Sequence, residues 1–204
     1  MNFLAHAWLA TQAAEDAAVR DDLVVGGMIG DSVKGLLPAG LPDRLAAGVG
    51  LHRAIDVFAE SDESFRRSRL RLPAARRRVA GIVVDMAYDH FLARHWSSFE
   101  AQPLEEFAQT VYALLGVRAA ELPLTFRAIL PRMRARDWLS SYADVAVLAE
   151  ALDRMALRLS RPELLQGSGV EVLQNYAGLE EDFLAFLPRA RAAAQAARVR
   201  QMAQ

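Results

Sequence analysis

An apolar helical stretch between Gly81 and Trp96 carries two carboxylates and an imidazole. Its large apolar residues, Ile82, Val83, Met86, Phe91, Leu92 and Trp96, recur at helical spacing. Asp85 and Asp89 lie four apart, so their carboxylates project from one helix face, about 5–6 Å apart at Cβ. His90 adjoins Asp89 and can converge on the same point. Carboxylates in such surroundings cost free energy unless they are paired or bind a cation. Together the three supply hard and borderline ligands for a divalent metal. The alternative is a core helix whose acids are salt-bridged to arginine.

Three further places carry groups of the same kind. His6 adjoins the apolar stripe Phe3, Leu4, Ala7, Trp8 near the N-terminus, where a lone histidine is more often a satisfied core residue than a ligand. Asp31 and Lys34 follow Gly26, Gly27 and Gly30; a carboxylate and an ammonium beside exposed backbone amides can hold a metal and a phosphate. The order G-x-x-x-x-G-K-[ST] is absent, so this is not a Walker loop. His52 and Asp56 lie four apart on one helix face and can reach one ion, with Arg53 adjacent.

The elements that must position these groups read as helices throughout. Residue 2 to about 14 is a helix with Asn2 as its N-cap. The glycines between 26 and 30 are expected to break any long helix there. A helix begins at Pro42-Asp43 and runs to about Glu60. Arg66, Arg67, Arg69 and Arg71, then Arg76, Arg77 and Arg78, form the densest basic run; it reads as a solvated face or as a docking patch for an acidic partner. Beyond Trp96 the chain is helical and chemically quiet: a helix from Pro103, one from Pro123 bent or broken near Pro131, one capped by Asp144, and a last one from Val170 interrupted at Pro188. The tail from about 189 lacks large apolar side chains and is expected to fray. With no strand-like alternation, the expected fold is all-α, a single-domain helical bundle over 1–204.

Composition bounds the chemistry. The 204 residues contain no cysteine, which excludes thiolate metal sites and cysteine nucleophiles. All four histidines precede residue 97. A formal net charge of −1 argues against a general nucleic-acid binder. No uncharged apolar run reaches the roughly 20 residues a membrane span needs, and the N-terminus lacks a basic n-region, so a cytoplasmic protein is expected, with neither nucleic acid nor membrane as partner. His6, Asp31, the His52/Asp56 pair, and Asp85 with the Asp89/His90 pair fall on separate predicted segments, the layout of a metal site built between facing helices. A bound metal would activate water and polarise a phosphoryl oxygen, with Lys34, Arg53 or Arg94 neutralising phosphate.

The pieces Asn2-Phe3-Leu4-Ala5-His6, Gly30-Asp31-Ser32-Val33-Lys34-Gly35, His52-Arg53-Ala54-Ile55-Asp56 and Asp85 to Trp96, in this order and spacing, resemble the acyl carrier protein phosphodiesterase family, itself similar to a divergent branch of the HD-type metal-dependent phosphohydrolases. Ser32 and Lys34 depart from that family's pattern, which tends to have an aromatic and an arginine there; lysine keeps the charge and loses the bidentate geometry. The resemblance implies an HD-phosphohydrolase-like bundle that hydrolyses the phosphodiester joining 4′-phosphopantetheine to a serine of holo-acyl carrier protein. It also implies a divalent ion, typically Mn²⁺, with Mg²⁺ or Fe²⁺ as alternatives. On that basis His6, Asp31, His52, Asp89 and His90 are the ligand pool. Asp56 or Asp85 orients a ligand or takes the proton of attacking water. Lys34 and Arg53 hold the phosphoryl oxygens. Acyl carrier proteins are acidic, so the arginines at 66–78 and 132–136 offer a complementary docking face. Two other readings use the same residues differently: an HD-type nucleotide phosphohydrolase, and a non-enzymatic helical binding module.

Overall fold

Aspartates start three of the helices. Asp16 accepts from the Val19 amide, Asp62 from Ser64 and Phe65, and Asp144 from Ala146, each satisfying donors that a helix start leaves open. The computed structural model describes residues 1–14 and 16–203. Among these there is no strand. The helices are α1 (Phe3–Gln12), α2 (Ala17–Ile29), α3 (Asp43–Ser61), α4 (Glu63–Arg71), α5 (Ala80–Arg94), α6 (Leu104–Val117), α7 (Leu124–Ala135), the single turn α8 (Trp138–Ser141), α9 (Val145–Ala156), α10 (Gly169–Gln174) and α11 (Tyr176–Met202). They form one all-α bundle in which α1, α2, α3 and α5 surround the first-half candidates and α11 packs along α1, α3, α4 and α5.

Several local expectations give way to packing. Gly26 and Gly27 do not end a helix; α2 runs through both to Ile29. A glycine costs a helix only about 1 kcal/mol, and here it allows close contact: a Cβ on Gly26 would lie 2.5 Å from Gly48 Cα on α3. Asn2 does not cap α1 through its side chain, which donates instead to Met86 Sδ at 2.7 Å. The helix continues through Pro131 in α7 and through Pro188 in α11. The tail is helical to Met202, with Ala190, Ala194 and Ala197 buried. Small side chains on one face suffice there because they let the helix approach its neighbours closely.

The core is continuous and rich in aromatics. Tyr88 on α5 meets Phe65 of α4 and Phe183 and Phe186 of α11, with ring centroids 5.2–5.7 Å apart. Beside it Asp182, fully buried, accepts from Arg67 Nε at 2.5 Å, Arg71 Nε at 2.7 Å and Ser68 Oγ at 3.0 Å, fastening α11 to α4. No helix among the described residues is long and apolar enough to cross a membrane.

Candidate metal centre

The two early histidines meet face to face. His6 from α1 and His52 from α3 stack with ring centroids 3.6 Å apart and planes 16° from parallel. Asp56, one turn beyond His52, lies between their edges: Oδ1 is 3.1 Å from His6 Nε2 and Oδ2 is 3.1 Å from His52 Nε2. Ligand atoms of His6, His52 and Asp56 all fall within 4.8 Å of one another. Asp31, in the turn after α2, comes within 3.6 Å of His52 Nε2. Asp85 closes the far side through the Met1 ammonium, which donates to Asp85 Oδ1 at 2.7 Å and Asp56 Oδ1 at 3.3 Å.

Local structure holds each group. His52 Nδ1 donates to the Gly27 carbonyl at 2.8 Å, which turns Nε2 toward Asp56 and Asp31. Gly30 makes room for that ring: a Cβ there would sit 2.3 Å from His52 Cγ. Its backbone is ordinary right-handed helix, φ −49° and ψ −47°, so the requirement is space alone. Asp89, fully buried on α5, accepts from the amides of Leu4 at 2.8 Å and Ala5 at 3.1 Å. It thus caps α1 from another helix and sets where His6 points.

The electrostatics are those of a site short of positive charge. Burial, followed by the His52 charge stacked on it, lowers His6 to about 4. Burial also opposes charge on His52, but Asp31 and Asp56 outweigh it and push it up to about 9. Burial would raise Asp56; His52, His6 and the Met1 ammonium instead hold it far below the usual carboxylate range. The His52 imidazole beside Asp31 holds that carboxyl low as well. Asp85 is raised, chiefly by burial, and burial pushes Asp89 up to about 7. His6 Nδ1 is buried without a hydrogen-bond partner, and the buried Nε2 has only Asp56 Oδ1 at 3.1 Å, out of line for a good hydrogen bond. A buried polar atom left so costs free energy, and a cation held between Nε2 and the carboxylates would remove that cost. Imidazole and carboxylate are both ligands of divalent first-row ions, so the residues present fit a divalent ion.

The structure brings His6, Asp31, His52, Asp56 and Asp85 together and leaves His90 outside. His90 Nδ1 lies 2.7 Å from the Tyr142 carbonyl and Nε2 2.8 Å from the Tyr176 hydroxyl, so both nitrogens are engaged in the core. Asp89 is adjacent, but both of its oxygens serve the start of α1. Arg53 donates to the Val33 and Gly35 carbonyls at 2.9 and 2.8 Å, gripping the chain on either side of exposed Lys34. In the basic run, Arg67 and Arg71 pair with Asp182, Arg69 with Glu60 and Arg76 with Glu171. Arg66, Arg77 and Arg78 make no side-chain pair among the described residues.

The sequence matches the family model described as acyl carrier protein phosphodiesterase over residues 1–190. The chain belongs to the acyl carrier protein phosphodiesterase family. Relatives carrying that name include one from Yersinia pestis, 32% identical over 92% of this chain and 94% of the relative. Another from Pectobacterium atrosepticum is 32% identical over 93% and 95%, and one from Escherichia coli O157:H7 is 33% identical over 95% and 97%. No solved structure matches the chain.

In this acyl carrier protein phosphodiesterase family member a cleft of about 360 Å³ opens beside the centre, sharing Asp31 with it. Phe3, Ile129, Trp138, Tyr142 and Met155 give it an apolar lining. Arg132, Arg136, Arg154 and Arg158 complete its wall. Sequence reasoning passed over Arg154 and Arg158 because they stand in the half without histidines. A signal was present: each arginine pair is spaced four apart, 132 with 136 and 154 with 158, and so shares a face. Gly30 and the Met1 ammonium carried no such signal, since both act through neighbours distant in sequence.

Proposed function

We propose that this protein is a metal-dependent phosphodiesterase that hydrolyses the bond joining 4′-phosphopantetheine to a serine of holo-acyl carrier protein, giving apo-carrier protein and phosphopantetheine. The likeness to HD-type phosphohydrolases and a cytoplasmic location belong to the same proposal. Family membership supports the substrate. The observation that carries the chemistry is the His6–His52–Asp56 donor set, whose ligand atoms lie within 4.8 Å of one another.

His6, His52 and Asp56 would hold the ion, with Asp31 at the mouth; Mn²⁺ is the first choice, Mg²⁺ and Fe²⁺ the alternatives. When bound, a divalent ion supplies charge to the phosphoryl oxygens and acidifies water. The chain's own groups do the rest. The Gly27 carbonyl keeps the His52 proton on Nδ1, leaving Nε2 as a donor atom. Asp85, raised by burial, is suited to accept the proton of the attacking water. Lys34 would neutralise a phosphoryl oxygen, with Arg53 holding the two carbonyls that flank it. The water oxygen bonds to phosphorus as the bond to the serine oxygen breaks; the serine oxygen leaves with the carrier and takes a proton, and the phosphate stays on the pantetheine.

The test is incubation of holo-carrier protein with the purified chain and Mn²⁺, read by mass spectrometry. Loss of one phosphopantetheine from the carrier is the expected result, abolished in Asp56→Ala. An unmodified carrier after prolonged incubation with the metal-loaded protein would refute the reading.

A further inference from the structure

We propose that the arginine rim of the α7–α9 cleft, Arg132, Arg136, Arg154 and Arg158, is the surface on which an acidic face of the carrier protein docks, in place of the basic run at 66–78. This rests on the phosphodiesterase reading above.

The two basic surfaces differ in how their charge is used. In the run at 66–78, Arg67 and Arg71 are committed to buried Asp182 and Arg76 to Glu171, while Arg69 has only the exposed Glu60. Arg76 also donates to the Glu163 and Leu164 carbonyls. A guanidinium neutralised from within offers little to a partner, and withdrawing it from buried Asp182 would strand that charge. Among the described residues Arg66, Arg77 and Arg78 of the run stay unpaired, but they stand among arginines already engaged; around the cleft none is tied to a buried carboxylate. Arg132, Arg136 and Arg158 are exposed and make no side-chain pair among the described residues. Arg154 has only exposed Glu150, a pair worth little in water. All four stand at or just beyond the C-terminal ends of α7 and α9, where the helix dipole favours cations. They are therefore stable there without an internal counter-ion.

Position separates the surfaces further. The groove lined by Arg66, Arg69 and Arg77, of about 500 Å³, shares no residue with the metal centre. The cleft shares Asp31 with it and is lined by Asn2 and Phe3 of the same α1 start that carries His6. A carrier seated on this rim presents its modified serine beside the centre, and the apolar lining offers shelter to the arm. Exposed rim charges of one sign act mainly by drawing in the partner and by making binding salt-dependent.

The experiment measures binding of fluorescently labelled apo-carrier protein, the product, to the Mn²⁺-loaded enzyme by anisotropy, so that no turnover intervenes. The triple reversal Arg132→Glu, Arg136→Glu, Arg158→Glu should raise Kd about tenfold and flatten its dependence on salt. The comparison triple Arg66→Glu, Arg77→Glu, Arg78→Glu should stay within about threefold. Equal binding by the cleft triple, or an equal loss in the comparison triple, overturns the inference. Should the cleft triple fail to fold, Arg132→Gln and Arg158→Gln are each expected to weaken binding about threefold, and no loss in either overturns it. A parallel assay on holo-carrier keeps the two proposals apart. Undiminished binding by the cleft triple beside normal wild-type release of phosphopantetheine sinks only the docking surface. Cleft-dependent binding without any release sinks only the hydrolase.

Discussion

Gly30→Ala removes nothing from the protein and adds one methyl group, yet it should disable the centre. The new Cβ would lie 2.3 Å from Cγ, 2.5 Å from Nδ1 and 2.6 Å from Cδ2 of His52. Restoring an ordinary carbon–carbon separation of about 3.5 Å requires the ring to retreat by about 1 Å. It cannot retreat freely, because His6 stacks on it at 3.6 Å and Nδ1 is bonded to the Gly27 carbonyl. Overpacking of this kind costs about 1–3 kcal/mol, and a lost hydrogen bond adds about 1 kcal/mol. For a chain of this size the melting temperature should fall by roughly 5–15 °C. Mn²⁺ affinity should fall about 10–100-fold, as when a ligand loses its orienting bond. Calorimetric melting and Mn²⁺ titration followed by electron paramagnetic resonance read the two effects separately. Gly27→Ala is the control: its Cβ would meet nothing nearer than the His6 carbonyl oxygen at 3.4 Å, and alanine favours a helix by about 1 kcal/mol. Wild-type Mn²⁺ affinity and melting in Gly30→Ala would show that the ring does not sit where these contacts put it.

Two further expectations follow from the same geometry. Asp182→Asn should lower stability by about 2–3 kcal/mol near neutrality, because Arg67, Arg71 and Ser68 lose a buried carboxylate. Burial opposes that charge, but Arg71, Arg67 and Ser68 prevail and hold the carboxyl below its usual range. Its contribution is therefore complete above the unfolded carboxyl pKa of about 3.9 and vanishes as pH falls through the lower folded value, so the gap between variant and wild-type melting should close in acid; a gap that widened would contradict the pairing. His90→Gln should destabilise the core by about 1–3 kcal/mol while leaving Mn²⁺ affinity as it is, since His90 serves Tyr142 and Tyr176; a matching loss of metal would return it to the ligand set.

What could be read from the sequence was mostly what is local. Pro42-Asp43 and Asp144 begin helices because caps and first-turn prolines act within a few residues. His52 and Asp56 share a face because of helical geometry. The misreadings share one cause, a neighbour far along the chain. Periodicity places Asp89 and His90 on a buried helix without saying what lies opposite: for Asp89 it is the open amides of α1, for His90 a carbonyl and a phenol from beyond residue 140. Gly26 and Gly27 look like breakers until Gly48 is set against the helix. The alanines after Pro188 look too small to hold a helix until the surfaces they touch are known. The cleft arginines were visible as pairs four apart, but only the fold brings two such pairs to one wall.

The bonds that shape the centre join positions far apart: Met1 to Asp85 across 84 residues, Leu4 to Asp89 across 85, and His52 to Gly27 across 25. The donors His6, Asp31, His52 and Asp56 all lie within the first 56 residues, but the groups that fix the start of α1, Asp85 and Asp89, come from α5, so the geometry is complete only once α5 packs against α1. A cation that binds this assembled geometry more tightly than the unfolded chain stabilises the native state by mass action.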